Sequence, residues 1–97
     1  MQTNLEIPRN ALTGAEYQNG NVLRLLAAAA DNGYNGPLWA GYKQWLQLGR
    51  VVRKGQRATS GLTVITVKGE NGKAKQSARG IAVFHYDQTE ELQQEEN

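Results

Sequence analysis

An apolar, β-branched run at residues 62–67 (Leu-Thr-Val-Ile-Thr-Val) is followed by Asn71-Gly72 and answered by a second run at 81–86 (Ile-Ala-Val-Phe-His-Tyr). Asn-Gly is a strong signal for a tight hairpin turn, because both residues tolerate positive φ and the turn's twist matches that of paired strands. Residues 59–86 are therefore expected to form one long antiparallel hairpin. Gly69 and Gly80 are expected to mark irregularities in it. Its distal half carries Lys68, Lys73, Lys75 and Arg79.

Upstream, the apolar spacing is helical. Asn21 can cap a helix over 22–32 that ends at Gly33, with Val22, Leu23, Leu26, Ala29 and Ala30 on one face and Arg24 opposite. Pro37 can open a second helix and Gly49 can close it, with its body at 38–48 and a stripe of Leu38, Tyr42, Trp45 and Leu46. Trp39 then falls at the edge of that stripe, one turn before Lys43. Residues 50–53 suit a short strand and Lys54-Gly55 a turn. The first twenty residues lack helical periodicity and read as an ordered lead-in segment. The fold class expected is α+β, with two helices packed on a small antiparallel sheet and a long basic hairpin.

A chain of 97 residues suits one small domain with little depth for a catalytic cleft. It has no cysteine, so packing alone must hold it together, which fits a reducing cytoplasm. No apolar run is long enough to span a bilayer, and no membrane association is expected. His85 is the only histidine, and a lone histidine in a strand is more often packed than ligating. HExxH, GxGxxG and GxxxxGK[ST] are all absent. The expectation is no catalysis, no metal and no cofactor.

Charge is distributed unevenly. Residues 1–86 hold all 11 Lys and Arg against four acids, and residues 87–97 hold five acids and no base. The expected division is a globular domain at 1–89 and an acidic, disordered tail at 90–97, which either shields the basic face or recruits a partner. Residues 49–61 carry four cations and no acid. Arg50, Arg53, Lys54 and Arg57 surround Gly55, where backbone N–H groups can approach a phosphate oxygen. Basic groups beside an edge aromatic suit a single strand, since bases stack on aromatic rings. Protein binding is the alternative at this level.

Four ordered motifs carry a family resemblance. They read Asn10-Ala-Leu-Thr13-Gly14 with Tyr17-Gln-Asn-Gly-Asn21, then Trp39-Ala-Gly-Tyr42-Lys43-Gln44, then Gly49-Arg-Val-Val52-Arg53-Lys54-Gly55, and last Val83-Phe84-His85-Tyr86-Asp87-Gln88. Their order is similar to that in the N-terminal single-stranded-DNA-binding domain of ArdC-like antirestriction proteins of plasmids and phages. Departures from that pattern are Gly41 for a threonine, His85 for an asparagine and Asn19-Gly20 for Gly-Ile. The resemblance implies a stand-alone DNA-binding module, and the residues themselves lead us to expect a cytoplasmic, non-catalytic one. Its partner would be single-stranded DNA, with RNA or a host defence protein as alternatives. The contacting residues expected are Trp39, Lys43, Arg50, Arg53, Lys54, Gly55, Arg57, Lys73, Lys75 and Arg79.

Overall fold

The computed structural model describes residues 6–69 and 71–93. The lead-in forms a short strand, β1 (Arg9–Asn10), then a turn built by one side chain: Asn10 Oδ1 accepts from the N–H groups of Leu12 (2.9 Å) and Thr13 (3.0 Å). The first helix, α1 (Gly20–Asn32), starts two residues earlier than expected and ends at Gly33. Asn21 is not its cap. Its side-chain amide instead pairs with the backbone of Leu62, accepting from the N–H at 2.8 Å and donating to the carbonyl. The cap position falls to Asn19, at φ 59° and with no side-chain cap bond.

The buried stripe of α1 is rotated from the expected one. Leu25 is its buried residue, Ala28 and Ala29 pack beside it, and Leu23 is 73% exposed. The alanines let α1 lie close to the sheet, so the core is a thin layer of Leu25, Trp39 and Val83 edged by Tyr17, Tyr34 and Ile81.

The expected second helix is divided. Residues 38–40 are a strand, β2 (Leu38–Ala40), and the helix α2 spans only Tyr42–Gln47. Two strands flank this segment and override its helical spacing. β1 runs parallel to β2, and the hairpin's return strand pairs antiparallel on the other side, with Trp39 opposite His85 and Ala40 opposite Phe84. The sheet is therefore mixed rather than wholly antiparallel. Gly41 breaks the strand, and its N–H donates to Gln44 Oε1 at 3.0 Å, which secures the first turn of α2.

The hairpin consists of β4 (Thr59–Lys68) and β5 (Ala74–His85), paired without a slip from Thr59 opposite Val83 to Lys68 opposite Ala74. Gly80 sits in regular register opposite Leu62, so it is not a bulge. Asn71-Gly72 lies in the turn, but Gly72 N–H bonds Gly69 O at 3.0 Å and Gly69 N–H bonds Lys73 O at 2.9 Å. The loop is thus longer than a two-residue connection. The sheet order is β1-β2-β5-β4.

A second, two-stranded sheet pairs β3 (Arg50–Val52) with β6 (Thr89–Glu91), after a single 3-10 turn at Tyr86–Gln88. Glu90 lies opposite Val51 and Glu91 opposite Arg50, and Leu92 N–H donates to Gly49 O at 2.9 Å. Glu90 and Glu91, expected in the tail after residue 89, thus belong to a strand whose backbone pairs with β3. Glu95 and Glu96 lie outside the described residues. Among the described residues no helix is long and apolar enough to cross a membrane.

Candidate nucleic-acid interface

Strand alternation sets the site. On β5 the odd-numbered residues His85, Val83 and Ile81 face α1 and the core, and the same face continues outward through Arg79, Ser77 and Lys75. The change from apolar to cationic occurs where α1 stops. Its first turn reaches Gly61 and Leu62, and at Gly61 an added Cβ would lie 2.8 Å from Asn21 Oδ1. A larger residue there would have to displace the Asn21 amide. Past this step the hairpin is a two-stranded arm with residues 74–80 all exposed. Lys75 and Arg79 line its inner face, Lys73 stands exposed in the loop at its tip, and Lys68 points the other way. The uncapped N-terminus of α1, with no acid in its first turn, adds the positive end of a helix dipole at the foot of the arm.

The second cationic group surrounds the turn after β3. Gln56 N–H bonds Arg53 O at 3.2 Å, which places Lys54-Gly55 at the tip, with Gly55 at φ 86°. Arg53, Lys54 and Arg57 are exposed there. Arg53 is steadied by donating from Nη2 to Asp87 O at 2.6 Å. The turn is held from beneath by Gln88, 2% exposed, whose Nε2 donates to Arg57 O at 2.8 Å while its Oε1 accepts from His85 N–H at 2.8 Å.

Two expected contacts are corrected. Trp39 is 1% exposed, because as a strand residue it turns into the core, with its ring edge-on to His85 at 5.0 Å and to Tyr34 at 6.2 Å. It has no face for a base to stack on and does not neighbour Lys43 as helical spacing required. Arg50 is committed internally: Nε donates to Thr89 Oγ1 at 2.7 Å, and the guanidinium lies 3.9 Å above the Tyr86 ring. Lys43 is exposed on α2.

His85 is a packed residue, 0% exposed and stacked on Tyr34 at 4.9 Å. Its Nε2 lies 2.8 Å from Gly36 O and must donate, whereas Nδ1 accepts from Asp87 N–H at 2.9 Å. The ring is therefore the neutral Nε2–H tautomer, and Asp87 Oδ2, 3.9 Å from Nδ1, is no ion-pair partner. Asp87 Oδ2 instead accepts from Asn35 N–H at 2.7 Å.

At the foot of the arm a groove of about 750 Å3 opens between the lead-in, the start of α1 and the hairpin. Arg24, read from sequence as the solvated face of α1, stands at its rim with Gln18, Asn19 and Thr63. The amide-rich stretch Gln18-Asn19-Gly20-Asn21 was the available signal for this feature.

Across residues 1–97 the sequence matches the family model described as the N-terminal domain of the anti-restriction factor ArdC. The chain belongs to that family. Among solved structures it resembles the metal-free antirestriction protein ArdC from plasmid R388, at 31% identity and a TM-score of 0.77 over 91% of this chain and 34% of that one. The Mn(II)-bound structure of the same protein aligns at 31% identity and a TM-score of 0.76, over 90% and 35% respectively. The uncharacterized protein y4eC of Sinorhizobium fredii is 42% identical over 50 residues, which is 52% of this chain and 16% of y4eC. The chain thus spans about a third of the ArdC protein and a smaller share of y4eC.

Within the ArdC N-terminal frame, the motif residues are mostly builders of the fold. Asn10 Nδ2 donates to Tyr17 Oη (3.1 Å) and to Gln44 Oε1 (2.9 Å), which joins the first two motifs across the groove. Trp45, 1% exposed, donates from Nε1 to Phe84 O at 2.9 Å and so ties α2 to β5.

Proposed function

We propose that this chain is a non-catalytic module that holds single-stranded DNA along a cationic face, without reading sequence, in the service of antirestriction. The observation that carries the reading is Lys75 and Arg79 on one exposed face of the arm, with Lys73 in the exposed loop at its tip and no acidic partner among the described residues. Like charges are unfavourable when held in a row, and a polyanion relieves them by releasing its counterions on binding. The turn at Arg53, Lys54, Gly55 and Arg57 supplies further phosphate contacts nearer the body. Contacts of this kind fix position and not sequence. Membership of the ArdC family supports a role in protecting incoming mobile DNA from a host defence system.

The test is a titration of labelled single-stranded and duplex DNA at several salt concentrations. If about four phosphates are engaged, log affinity for the single strand falls against log salt with a slope of about −3. Replacing Lys73, Lys75 and Arg79 together with Ala flattens the slope by about two units. Arg50→Ala leaves the slope unchanged, since Arg50 is occupied by Thr89 and Tyr86. Failure of both DNA forms to bind at low salt refutes the reading in favour of a protein-directed inhibitor.

A further inference from the structure

The groove at the foot of the arm has a composition that phosphate binding does not require. Tyr17 and Ile81 give it an apolar wall, the backbone of Leu62 borders it, and Gln18, Asn19 and Thr63 give it a polar rim. The other amides around it are already engaged. Asn10 holds Tyr17 and Gln44, and Asn21 holds the backbone of Leu62. These bonds keep the walls apart, so the groove is a standing feature of the fold. In contrast, the side chains of Gln18, Asn19, Arg24 and Thr63 make no hydrogen bond to a described residue.

A flat ring with apolar faces and a polar edge is the ligand this arrangement suits, and the volume lies within the range of about 300–1,000 Å3 typical of small-molecule sites. A free inorganic anion is a poor fit. Arg24 is the one cation among the lining residues, and Glu16 lines the same groove. The position along the chain matters as well. Thr63 lies directly opposite Arg79 in the hairpin register, so the groove opens at the inner end of the cationic row.

We propose that the groove is a base-docking pocket. One nucleobase of a strand held on the arm turns inward, lays its face on Tyr17 and Ile81, and meets Gln18, Asn19 and Thr63 with its edge. The flanking phosphates remain on Arg24 and Arg79. This rests on the reading of the arm as the strand-holding surface, and it assigns the stacking role lost by Trp39 to a different part of the molecule. The site would make affinity depend on the presence of bases while leaving sequence preference weak, since every base has a face.

The absence of cysteine from the chain permits a clean test. Thr63→Cys is a near-isosteric change, and a bulky maleimide attached there blocks the groove. Ala78→Cys, on the opposite face of the arm, carries the same adduct as a control. Two probes are titrated: a short thymidine homopolymer and an abasic strand of equal length and charge. The unmodified chain is expected to bind the base-bearing strand at least about fivefold more tightly than the abasic one. The adduct at position 63 abolishes that advantage while abasic affinity and its salt slope persist, and the adduct at position 78 preserves it. Circular dichroism checks that each labelled protein is folded. Should Thr63→Cys fail to fold, Gln18→Ala with Asn19→Gly tests the same rim and is expected to lower the advantage. Equal binding of the two strands, or an advantage that survives the adduct at 63, overturns the pocket and leaves the arm reading intact. Absence of binding by either strand overturns both.

Discussion

Gln88→Leu isolates the link between the core and the cationic turn. Gln88 is 2% exposed and makes three contacts: from His85 N–H at 2.8 Å, to Arg57 O at 2.8 Å, and to Gln56 Oε1 at 3.3 Å. Leucine preserves most of the volume and removes all three. The Arg57 carbonyl belongs to an exposed residue and can be rehydrated, so its loss costs no more than an ordinary hydrogen bond, about 1 kcal/mol. The His85 N–H is enclosed and is left without a partner, at about 1–3 kcal/mol. The long third contact adds little. The total is about 2–4 kcal/mol, which for a domain of this size lowers the melting temperature by roughly 10–25 °C. Calorimetry and urea unfolding measure it. Gln88→Glu separates the two ends of the side chain: it keeps the acceptor for His85 N–H but sets a carboxylate against the Arg57 carbonyl. It should therefore retain much of the stability while displacing the turn and weakening single-strand binding. A Gln88→Leu protein within about 0.5 kcal/mol of the parent, too small for loss of a buried bond, would refute the reasoning.

Three further outcomes are expected. Trp39→Ala costs about 3–5 kcal/mol of stability in urea unfolding, while the DNA affinity of the folded fraction is unchanged, because the ring is core and not platform. Burial raises the Tyr17 hydroxyl above its ordinary value of 10.0, with the Asn10 hydrogen bond opposing in part. Its contribution to stability is therefore complete below that value and is lost as pH rises through the higher folded value, so melting temperature should fall above about pH 10 and Tyr17→Phe should flatten that limb. Truncation after Thr89 removes the β6 partners of Arg50 and Val51 and the Leu92 bond to Gly49. It should lower stability by about 1–3 kcal/mol in calorimetry, whereas a purely electrostatic tail would change only salt-dependent affinity.

What could be read from the sequence was what local chemistry decides. The hairpin was legible because apolar alternation and Asn71-Gly72 agree, and the extent of α1 because its spacing and Gly33 agree. The start of the second helix was not. Pro37, Leu38 and Trp39 satisfy helical rules, but β1 and β5 offer backbone partners on both sides of residues 38–40, and no local signal reports that. The strand at Thr89–Glu91 was hidden for a similar reason, since its partners are the backbone of residues 50–52 and the Arg50 bonds to Thr89, which no local signal reports. Among the site residues, Arg53, Lys54, Gly55 and Arg57 do share a turn, and Lys75 and Arg79 do share a face, with Lys73 in the loop beyond them. Arg50 and Trp39 were misplaced because composition marks a residue's chemistry but not what that chemistry is already used for.

The arm has two open edges beyond Leu62 and Ala82, a shape that ordinarily invites another strand to add on. Asn21 closes one edge at its root with a single side-chain amide, in place of a further strand. Farther out, the lysines and Arg79 make a second copy of the same arm a repulsive neighbour. The residues that suit the arm to a polyanion thus also keep it from polymerising, and a variant made neutral to abolish DNA binding would be expected to aggregate through these edges.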